Sequence, residues 1–454
     1  MELNTDCDRQ IQKPGELLLL PPEILLKICS YLSPSDARTL RLCCKKLADT
    51  GAHYGFCNIT IHVLESDFKM LRAFSRHPII SKNIKKLTYR TATLVKSQLP
   101  LFYSIDQYAR FLINAGIQPV TGSLPYRLPD STSNPVWSNF IYTKDAQENY
   151  EQYKRKALEQ FLIVINEKDS ALLKEVLPKL QALDEIVLDN HPEEHRPPFN
   201  SYFAPLCRPR HQGPTQAMIN GLCDSGLLIN KLSADWILPS ILSTPFLQQI
   251  IPVCKYLKSI DLRISQPTAP YDPLFGSSRS KNELNTVAKF LKALPNLESL
   301  SVRYYDQIRG RWPLYQAIDP EVKWNNLRCI YFHEIRTNRH ELIAFFQRHR
   351  LTLESVTIVK CDLWNTSIKI FLCQMKEILK LKEISICSFF DGQFEDSEDN
   401  RGFIGDVGHP LKQHWFFGEP SNPRSLGYQV AGWFLRDDPS PLKPGVQNFE
   451  RGVD

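Results

Sequence analysis

A short pattern, apolar-x-x-apolar-x-apolar, recurs nine times along the chain and constrains its fold more than any other feature. Five clear copies lie in the second half of the chain, with starts separated by 40, 30, 26 and 28 residues. They begin at Leu257, Leu297, Leu327, Leu353 and Leu381. Four weaker copies begin at Phe56, Ile84, Leu183 and Ile229. Alternating apolar residues of this kind predict a short strand that buries one of its faces.

Amphipathic helix patterns separate the later copies. They cover Asn282 to Leu294, His340 to His349 and Ser367 to Leu379, each with apolar residues gathered on one side. A short strand followed by a helix, at a period near 28 residues, is typical of leucine-rich repeats. Such units bury their apolar edges against their neighbours and share one continuous core. The sequence therefore predicts an α/β fold, an irregular leucine-rich-repeat-like solenoid of short strands and helices over residues 52–390.

The repeat is degenerate. The Asn or Cys that ends a strict repeat is mostly missing, and the spacing reaches 99 residues between Ile84 and Leu183. Stretches rich in Pro, Gly, Ser and Thr fill the wide spacings and predict long loops near residues 119–137, 191–214 and 266–281. A plain α/β domain whose strands happen to begin with leucine is the alternative fold.

A strongly apolar helix is predicted near the start of the chain. Pro22 suits the first position of a helix and Glu23 suits its positive end, so a helix is expected from about Pro22 to Tyr31. Apolar residues cover nearly the whole circumference of this helix. More than one of its faces therefore requires burial.

Two more short helices follow it. Ser33 can cap a second helix, with Pro34 in its first turn and its end near Cys43. A third begins at Lys45 and is predicted to end at Gly51, because glycine is favoured just after a helix. A bundle this small rarely stands alone without metal, disulfides or a partner. Its spare apolar surface must pack on the rest of the chain or on another protein.

Residues 17–51 resemble an F-box. That family reads Leu-Pro-x-Glu-(Ile/Val), an Ile four residues later, Tyr/Phe-Leu, a Ser/Asp turn and a Leu-rich second helix ending near a basic residue. The matching positions share order, spacing and turn chemistry. They are Leu20, Pro21, Glu23, Ile24, Ile28, Tyr31, Leu32, Ser33, Asp36, Leu40, Leu42 and Lys45. Cys44 stands where the family often has Ser or Asn. With irregular leucine-rich repeats after it, the chain is similar to fungal-type F-box domain-containing proteins.

The resemblance implies a partner that covers the leucines. F-boxes dock on the adaptor subunit of cullin–RING ubiquitin ligases and interleave their helices with those of the adaptor. The residues expected to bind the adaptor are Leu20, Pro21, Ile24, Leu25, Ile28, Leu32, Leu40 and Leu42. The implied function is that of a non-catalytic adaptor of an SCF-type ligase, whose repeats hold a protein substrate, and no cofactor is expected. An F-box scaffold that works outside ubiquitination is the alternative.

Composition and charge disfavour several function classes. The net charge of +6 on 454 residues comes without a dense basic stripe, so no nucleic-acid partner is expected. The 12 cysteines include no CxxC pair, which argues against a disulfide framework and a zinc cluster. The chain starts without a signal-peptide pattern, and no window approaches 18 apolar residues, so no membrane partner is expected. These features predict a protein of the cytoplasm, the nucleus or both.

One short stretch matches a catalytic motif. His191, Glu194 and His195 spell HxxEH, the motif of inverted zinc peptidases. That chemistry needs both imidazoles on one helix face, but Pro192 lies between them and no apolar periodicity surrounds the stretch. A chance match in a loop is the favoured interpretation, and no metal site is predicted. A zinc hydrolase is a remote alternative function.

Polar residues on the strands indicate a binding surface. Those between and after the apolar positions are expected on the concave face of the solenoid. Arg263, Arg303, Tyr331 and His333 lie on adjacent repeats, and Tyr and Arg are favoured at binding hot spots. They are the predicted substrate-binding residues, with an ordinary solvated face as the alternative.

The two ends of the chain follow other patterns. Residues 1–16 are predicted as a flexible N-terminus. Residues 391–454 are predicted as an acidic loop followed by an irregular tail, and the aromatic residues of the tail indicate that part of it packs as a cap.

Overall fold

A computed structural model of the protein describes residues 19–91, 95–96, 99–100, 144–189, 213–237, 244–265, 281–305, 312–364, 368–392, 412–416 and 426–436. The helices are α1 (Pro22–Cys29), α2 (Pro34–Leu40), α3 (Lys45–Gly55), α4 (Glu65–Arg76), α5 (Lys144–Ile165), α6 (Lys168–Val176), α7 (Gly213–Ser225), α8 (Thr244–Cys254), α9 (Lys281–Lys292), α10 (Leu314–Ala317), α11 (Arg339–His349), α12 (Ile368–Ile378) and α13 (Leu426–Arg436). The strands are β1 (Asn58–His62), β2 (Lys86–Arg90), β3 (Val95–Lys96), β4 (Leu99–Pro100), β5 (Glu185–Asp189), β6 (Lys231–Ile237), β7 (Ser259–Ser265), β8 (Ser299–Tyr305), β9 (Trp312–Pro313), β10 (Cys329–His333), β11 (Ile335–Asn338), β12 (Ser355–Val359), β13 (Cys361–Trp364), β14 (Glu383–Ile386), β15 (Ser388–Gly392) and β16 (Lys412–Phe416). The flexible N-terminus predicted for residues 1–16 lies outside the described residues, as do almost all of the three predicted loops.

Nine strands form one parallel main sheet, in the order β1-β2-β5-β6-β7-β8-β10-β12-β14. Each carries one of the nine copies of the apolar pattern, so the predicted α/β fold is confirmed. The second and third apolar residues of each copy enter the core, as Ile260 and Leu262 do on β7. They pair with Leu300 and Val302, the equivalent residues of β8. The pattern therefore sets the register of the sheet as well as its strands.

A recurring hydrogen-bond arrangement leads the chain into each strand. The carbonyl oxygen just before one strand accepts two backbone N–H groups at the start of the next. The oxygen of Lys258 accepts from Glu298 at 2.7 Å and from Ser299 at 2.9 Å. The oxygen of Glu298 accepts from Arg328 at 2.8 Å and from Cys329 at 3.1 Å. Because these bonds fix the strand starts, the segments between strands can vary in length without changing the register.

Helices fill much of the space between the described strands. The three predicted helices are present as α9, α11 and α12, with ends within two residues of those predicted. The wide spacing between Ile84 and Leu183 contains the 22-residue helix α5, which the sequence analysis did not predict. Tyr153, Ala157 and Ile163 of α5 are buried. Part of this insertion therefore belongs to the core.

A second sheet has the order β16-β15-β13-β11-β9 and was not predicted. A single residue separates each of the strands β11 and β13 from the main-sheet strand that precedes it. The linking residues are Glu334, with φ of 57°, and Lys360, with φ of 52°. The left-handed conformation bends the chain, so that it pairs with new neighbours beyond each linking residue. The two residues occupy equivalent places in consecutive repeats, and their side chains form an ion pair of 3.2 Å.

The bend at Lys360 yields a stability prediction. We expect Lys360→Val to lower the free energy of unfolding by about 1–2 kcal/mol more than Lys360→Asn, because asparagine tolerates the left-handed region and a β-branched residue does not. Both variants lose the exposed ion pair with Glu334, so that loss cancels in the comparison. Urea denaturation measures the difference. Equal stability of the two variants would show that the bend does not constrain this position.

A carboxyl group is buried between α6 and β2. Asp169 accepts a hydrogen bond from Tyr89 Oη at 3.3 Å and one from the Ser170 N–H at 2.9 Å. Burial raises the pKa of Asp169 to about 6, although both hydrogen bonds favour the charged form. A raised carboxyl pKa means that the folded state holds its proton more tightly than the unfolded state does. The stability from this group is full at low pH and is lost as pH rises through about 6.

Asp169→Asn should therefore stabilise the protein at neutral pH. We expect a gain of about 2 kcal/mol in the free energy of unfolding at pH 7.5, shrinking as pH falls towards 4. Urea denaturation at several pH values measures the gain. Asp49→Asn, at an exposed position of α3, is the matched control and should change little. A gain for Asp169→Asn that does not depend on pH would contradict the assignment.

The C-terminal segment contains regular structure that the sequence did not predict. Strand β16 pairs antiparallel with β15, and helix α13 follows. Val430 is buried in the main core, and Trp433 and Phe434 pack against it. Lys376 Nζ of α12 donates to the backbone oxygen of Trp433 and lies 4.8 Å from the centre of its ring. The apolar residues of α13 recur at helical spacing, which explains why this part of the tail is a helix.

The first two N-terminal helices are present and shorter than predicted. Helix α1 ends at Cys29 and α2 ends at Leu40. Ser33 caps α2 as expected, since its Oγ accepts a hydrogen bond from the Asp36 N–H at 3.1 Å. None of the helices in the described parts of the chain is long and apolar enough to cross a membrane.

The third helix does not end at Gly51, as the sequence had predicted. Helix α3 continues through this residue to Gly55. A Cβ at Gly51 would overlap the backbone oxygen of Ala37 and lie 2.7 Å from Arg41 Cγ. The glycine is therefore needed for the close approach of α2 and α3, and not for a helix end.

Candidate functional site

Helix α1 has buried apolar side chains on one face and exposed apolar side chains on another. Leu25 and Cys29, one turn apart, are each 1% exposed. Ile24 and Ile28, also one turn apart, are 47% and 37% exposed. Tyr31, two residues beyond the end of the helix, is 77% exposed. The helix thus anchors itself through one face and presents large apolar side chains to solvent on another.

The predicted adaptor-binding residues divide by their burial. Pro21, Ile24, Ile28 and Leu42 are exposed, and Leu42 reaches 86%. Leu20, Leu32 and Leu40 are half-buried, and Leu25 lies inside the bundle. We use the term exposed apolar set for Leu19, Pro21, Ile24, Ile28, Tyr31 and Leu42. Side chains of this kind are common at the centres of protein interfaces.

Sequence reasoning missed two members of this set. Leu19 and Tyr31 are among the most exposed large apolar residues of the described chain. The spacing could have identified Tyr31, because Ile24, Ile28 and Tyr31 follow each other at i, i+4 and i+7. Leu19 precedes the helix, so no periodicity marks it.

The N-terminal helices are joined closely to the first repeat. Two residues separate the end of α3 from the start of β1. One of them, Phe56, lies 4.7 Å from the Arg41 guanidinium and 4.8 Å from the ring of Phe74 on α4. Ala52 of α3 belongs to the same buried core as the main-sheet strands. A partner held by α1 and α2 would therefore be held close to the repeats.

The polar face of the main sheet is the face whose side chains do not enter the core. A row of residues, all but one of them charged, crosses this face, and we call this row the charged row. Its members lie on β2, β5, β6, β7, β8 and β10 at the same position, six residues after the start of each apolar pattern. They are Arg90, Asp189, Asp235, Arg263, Arg303 and His333. Cα pairing joins Arg90 to Asp189, Arg263 to Arg303 and Arg303 to His333.

Ion pairs connect this row across neighbouring strands. Arg90 Nε lies 3.3 Å from Asp189 Oδ2. Arg263 contacts both oxygens of Asp235, with Nε 3.1 Å from Oδ1 and Nη1 3.2 Å from Oδ2. The contact of Arg263 Nη1 is a hydrogen bond that orients the guanidinium, and the two Nε contacts are ion pairs without hydrogen-bond geometry.

Arg303, the third arginine of the row, is contacted from two sides. Arg303 Nη2 donates to Asp261 Oδ2 at 3.0 Å, and Ser301 Oγ donates to the other oxygen of Asp261 at 2.6 Å. The guanidinium also lies 4.8 Å from the centre of the Tyr331 ring. The Tyr331 and His333 rings are nearly parallel, with their centres 6.5 Å apart. The structure therefore brings together the four predicted substrate-binding residues on three adjacent strands.

The electrostatics of the row follow from its partial burial. Burial raises the pKa of Asp235 to about 6, with Asp189 and Asp261 adding to the shift and Arg263 opposing it. Burial also lowers the pKa of His333. The neighbouring Glu334 opposes this shift, and the cations Lys360, Arg303 and Arg263 add to it. His333 is therefore neutral at pH 7. These groups can hold a ligand through hydrogen bonds and charge.

The HxxEH stretch is the remaining motif of the sequence. His191, Glu194 and His195 lie outside the described residues. Among the residues that the structure does describe, no cluster of three or more His, Cys, Asp or Glu side chains could hold a metal ion.

Comparison with known proteins finds a family match at the N-terminal helices. An F-box-like family model matches residues 17–51, which include α1, α2 and the exposed apolar set. No curated protein matches the chain. The chain thus carries an F-box-like domain at residues 17–51, followed by an α/β region whose long parallel sheet is consistent with leucine-rich repeats.

Proposed function

We propose that this protein is a non-catalytic substrate-recognition adaptor of an SCF-type cullin–RING ubiquitin ligase. Its F-box-like domain docks on the adaptor subunit of the ligase, and the polar face of its main sheet holds a protein substrate. Its contribution to ubiquitin transfer is proximity, because it brings a substrate lysine near the loaded conjugating enzyme. Such a protein works in the cytoplasm, the nucleus or both.

One observation gives the proposal its main support. The family match at residues 17–51 coincides with large apolar side chains that the rest of the described chain leaves exposed. An apolar surface of this kind is typical of a protein-binding site. Of the eight residues expected to bind the adaptor, Leu25 is buried and supports the helix, and the other seven are available for contact.

The polar face supports the second half of the proposal. Arg263, Arg303, Tyr331 and His333 lie side by side and are ordered by neighbouring carboxylates and rings. Ordered Arg and Tyr side chains contribute strongly to binding because little conformational entropy is lost when a partner arrives. Only two residues separate α3 from β1, the first strand of the sheet that carries this face.

Co-expression with the adaptor and cullin subunits tests the proposal. We expect the full chain to co-purify with both, and depletion of the chain to lengthen the half-life of at least one cellular protein. Failure to co-purify would refute the ligase role. Co-purification without an effect on the half-life of any protein would favour a scaffold that acts outside ubiquitination.

A further inference from the structure

We propose that Arg263 and Arg303 together bind a carboxylate side chain, Asp or Glu, of the protein substrate. The inference rests on the proposed function, since it names the chemical class that the polar face recognises. The two arginines are directly paired across β7 and β8. Paired residues on adjacent strands lie about 5 Å apart, so two like charges face each other. Each arginine is already paired with an aspartate, and together they still present two guanidinium groups side by side to an anion.

Both guanidinium groups have donors left to offer. Arginine carries five N–H donors. Arg263 directs Nε and Nη1 to Asp235, and within the described residues its Nη2 makes no hydrogen bond. Arg303 directs Nη2 to Asp261 and Nε towards Ser301 Oγ, and within the same residues its Nη1 makes none. Each side chain is 25% exposed, so part of each arginine is open to solvent.

The orientation of these donors is fixed before any ligand arrives. Asp235 holds one arginine through two contacts, and Asp261 with the Tyr331 ring holds the other. An arginine that is already ordered loses less conformational entropy on binding than a free surface arginine does. The aspartates therefore act as positioning residues for the pair.

The charge of the row selects the kind of anion. With Asp261, which pairs with Arg303, the ion pairs along the row contain three arginines and three aspartates and carry no net charge. The neutral His333 adds no positive charge. A phosphate group brings nearly two negative charges, so at a site without net charge its desolvation costs more than that of a carboxylate. A carboxylate brings one charge and matches the flat, forked geometry of a guanidinium. The balance therefore favours an acidic side chain over a phosphorylated one.

A peptide selection tests the inference. The immobilised full-length chain is offered a library of random 12-residue peptides, and the retained peptides are sequenced. We expect Asp and Glu to be enriched at least fivefold in the peptides that the wild-type protein retains. Enrichment should fall to the level of the input library for the double variant Arg263→Gln, Arg303→Gln.

Arg72→Gln is the matched control, because it also removes an arginine and its ion pair, here with Glu175, but on helix α4 and not on the polar face. If Arg303 were only structural, Arg303→Gln and Arg72→Gln would both lower the melting temperature and leave peptide choice unchanged. If Arg303 binds an anion, Arg303→Gln reduces the acidic enrichment, whereas Arg72→Gln leaves it unchanged.

Three results would overturn the inference. These are retained peptides without acidic enrichment, enrichment that survives the double arginine change, and stronger retention of phosphoserine than of Asp or Glu in a library that contains all three. Adaptor co-purification is scored separately on the same preparations. Wild-type protein that binds the adaptor but shows no preference for acidic peptides would refute this site alone. Wild-type protein that prefers acidic peptides but does not bind the adaptor would refute the ligase role alone.

Discussion

The double variant Ile24→Asp, Ile28→Asp should no longer co-purify with the adaptor subunit. Both isoleucines belong to the exposed apolar set and lie one turn apart on α1. In an apolar interface each aspartate would bury a carboxylate without a partner as well as lose an aliphatic contact. At about 1.4 kcal/mol per tenfold change in affinity, a combined loss of about 4 kcal/mol weakens binding about 1,000-fold. Surface plasmon resonance with the purified adaptor measures the change.

The structure offers a control that separates binding from folding. Leu351 is 89% exposed in the turn before β12, far along the chain from the F-box-like domain. Leu351→Asp should leave adaptor affinity unchanged, and neither variant should shift the melting temperature by much, because both change exposed positions. Leu25→Asp is not informative, since that side chain is buried and its replacement would unfold the bundle. Adaptor binding that survives the change at Ile24 and Ile28 would contradict the proposed docking surface.

The main sheet could be predicted from sequence because its signal is local. Each copy of the apolar pattern contains the buried residues of one strand, and copies align with one another through the sheet. Even the weak copies at Phe56 and Ile229 correspond to strands β1 and β6. Burial at fixed spacing is a property of a few consecutive residues, so it survives irregular insertions between repeats.

The second sheet could not be predicted, for a physical reason. Two of its strands, β11 and β13, follow left-handed residues, Glu334 and Lys360, which are not glycine and carry no local signal. The strands that follow are short and have no continuous apolar pattern of their own. Their pairing depends on the bend, which the surrounding packing imposes.

On the polar face, the sequence predicts which residues lie side by side but not which partners they contact. Arg263, Arg303 and His333 lie next to one another on adjacent strands, because each lies six residues after the start of its apolar pattern. Their role in substrate binding stays a prediction. The aspartates that pair with the two arginines were not predicted from the sequence. Asp235 pairs with an arginine 28 residues away, and Asp261 with one 42 residues away. Which aspartate reaches which arginine depends on side-chain direction across adjacent strands, and the sequence does not state that direction.

Gly51→Ala should destabilise the protein, although alanine normally stabilises a helix interior. Alanine is favoured over glycine by about 1 kcal/mol in an exposed helix. At Gly51 the new methyl group would overlap the backbone oxygen of Ala37, and a backbone atom of α2 cannot rotate away. We expect a net loss of about 2–4 kcal/mol in the free energy of unfolding, measured by urea denaturation. Adaptor affinity should fall with it, because α2 carries part of the docking surface.

Gly55→Ala gives a graded comparison on the same helix. Its added methyl group would lie 2.8 Å from Arg38 Cγ and 3.3 Å from the Arg38 backbone nitrogen. The closer of these atoms belongs to a flexible side chain that can move aside, so the loss should be clearly smaller than at Gly51. If Gly51→Ala were neutral or stabilising, the close approach of α2 and α3 would not be what the glycine serves. A ranking with Gly51 more sensitive than Gly55 would mean that the bundle presents its apolar side chains through tight contact between backbones.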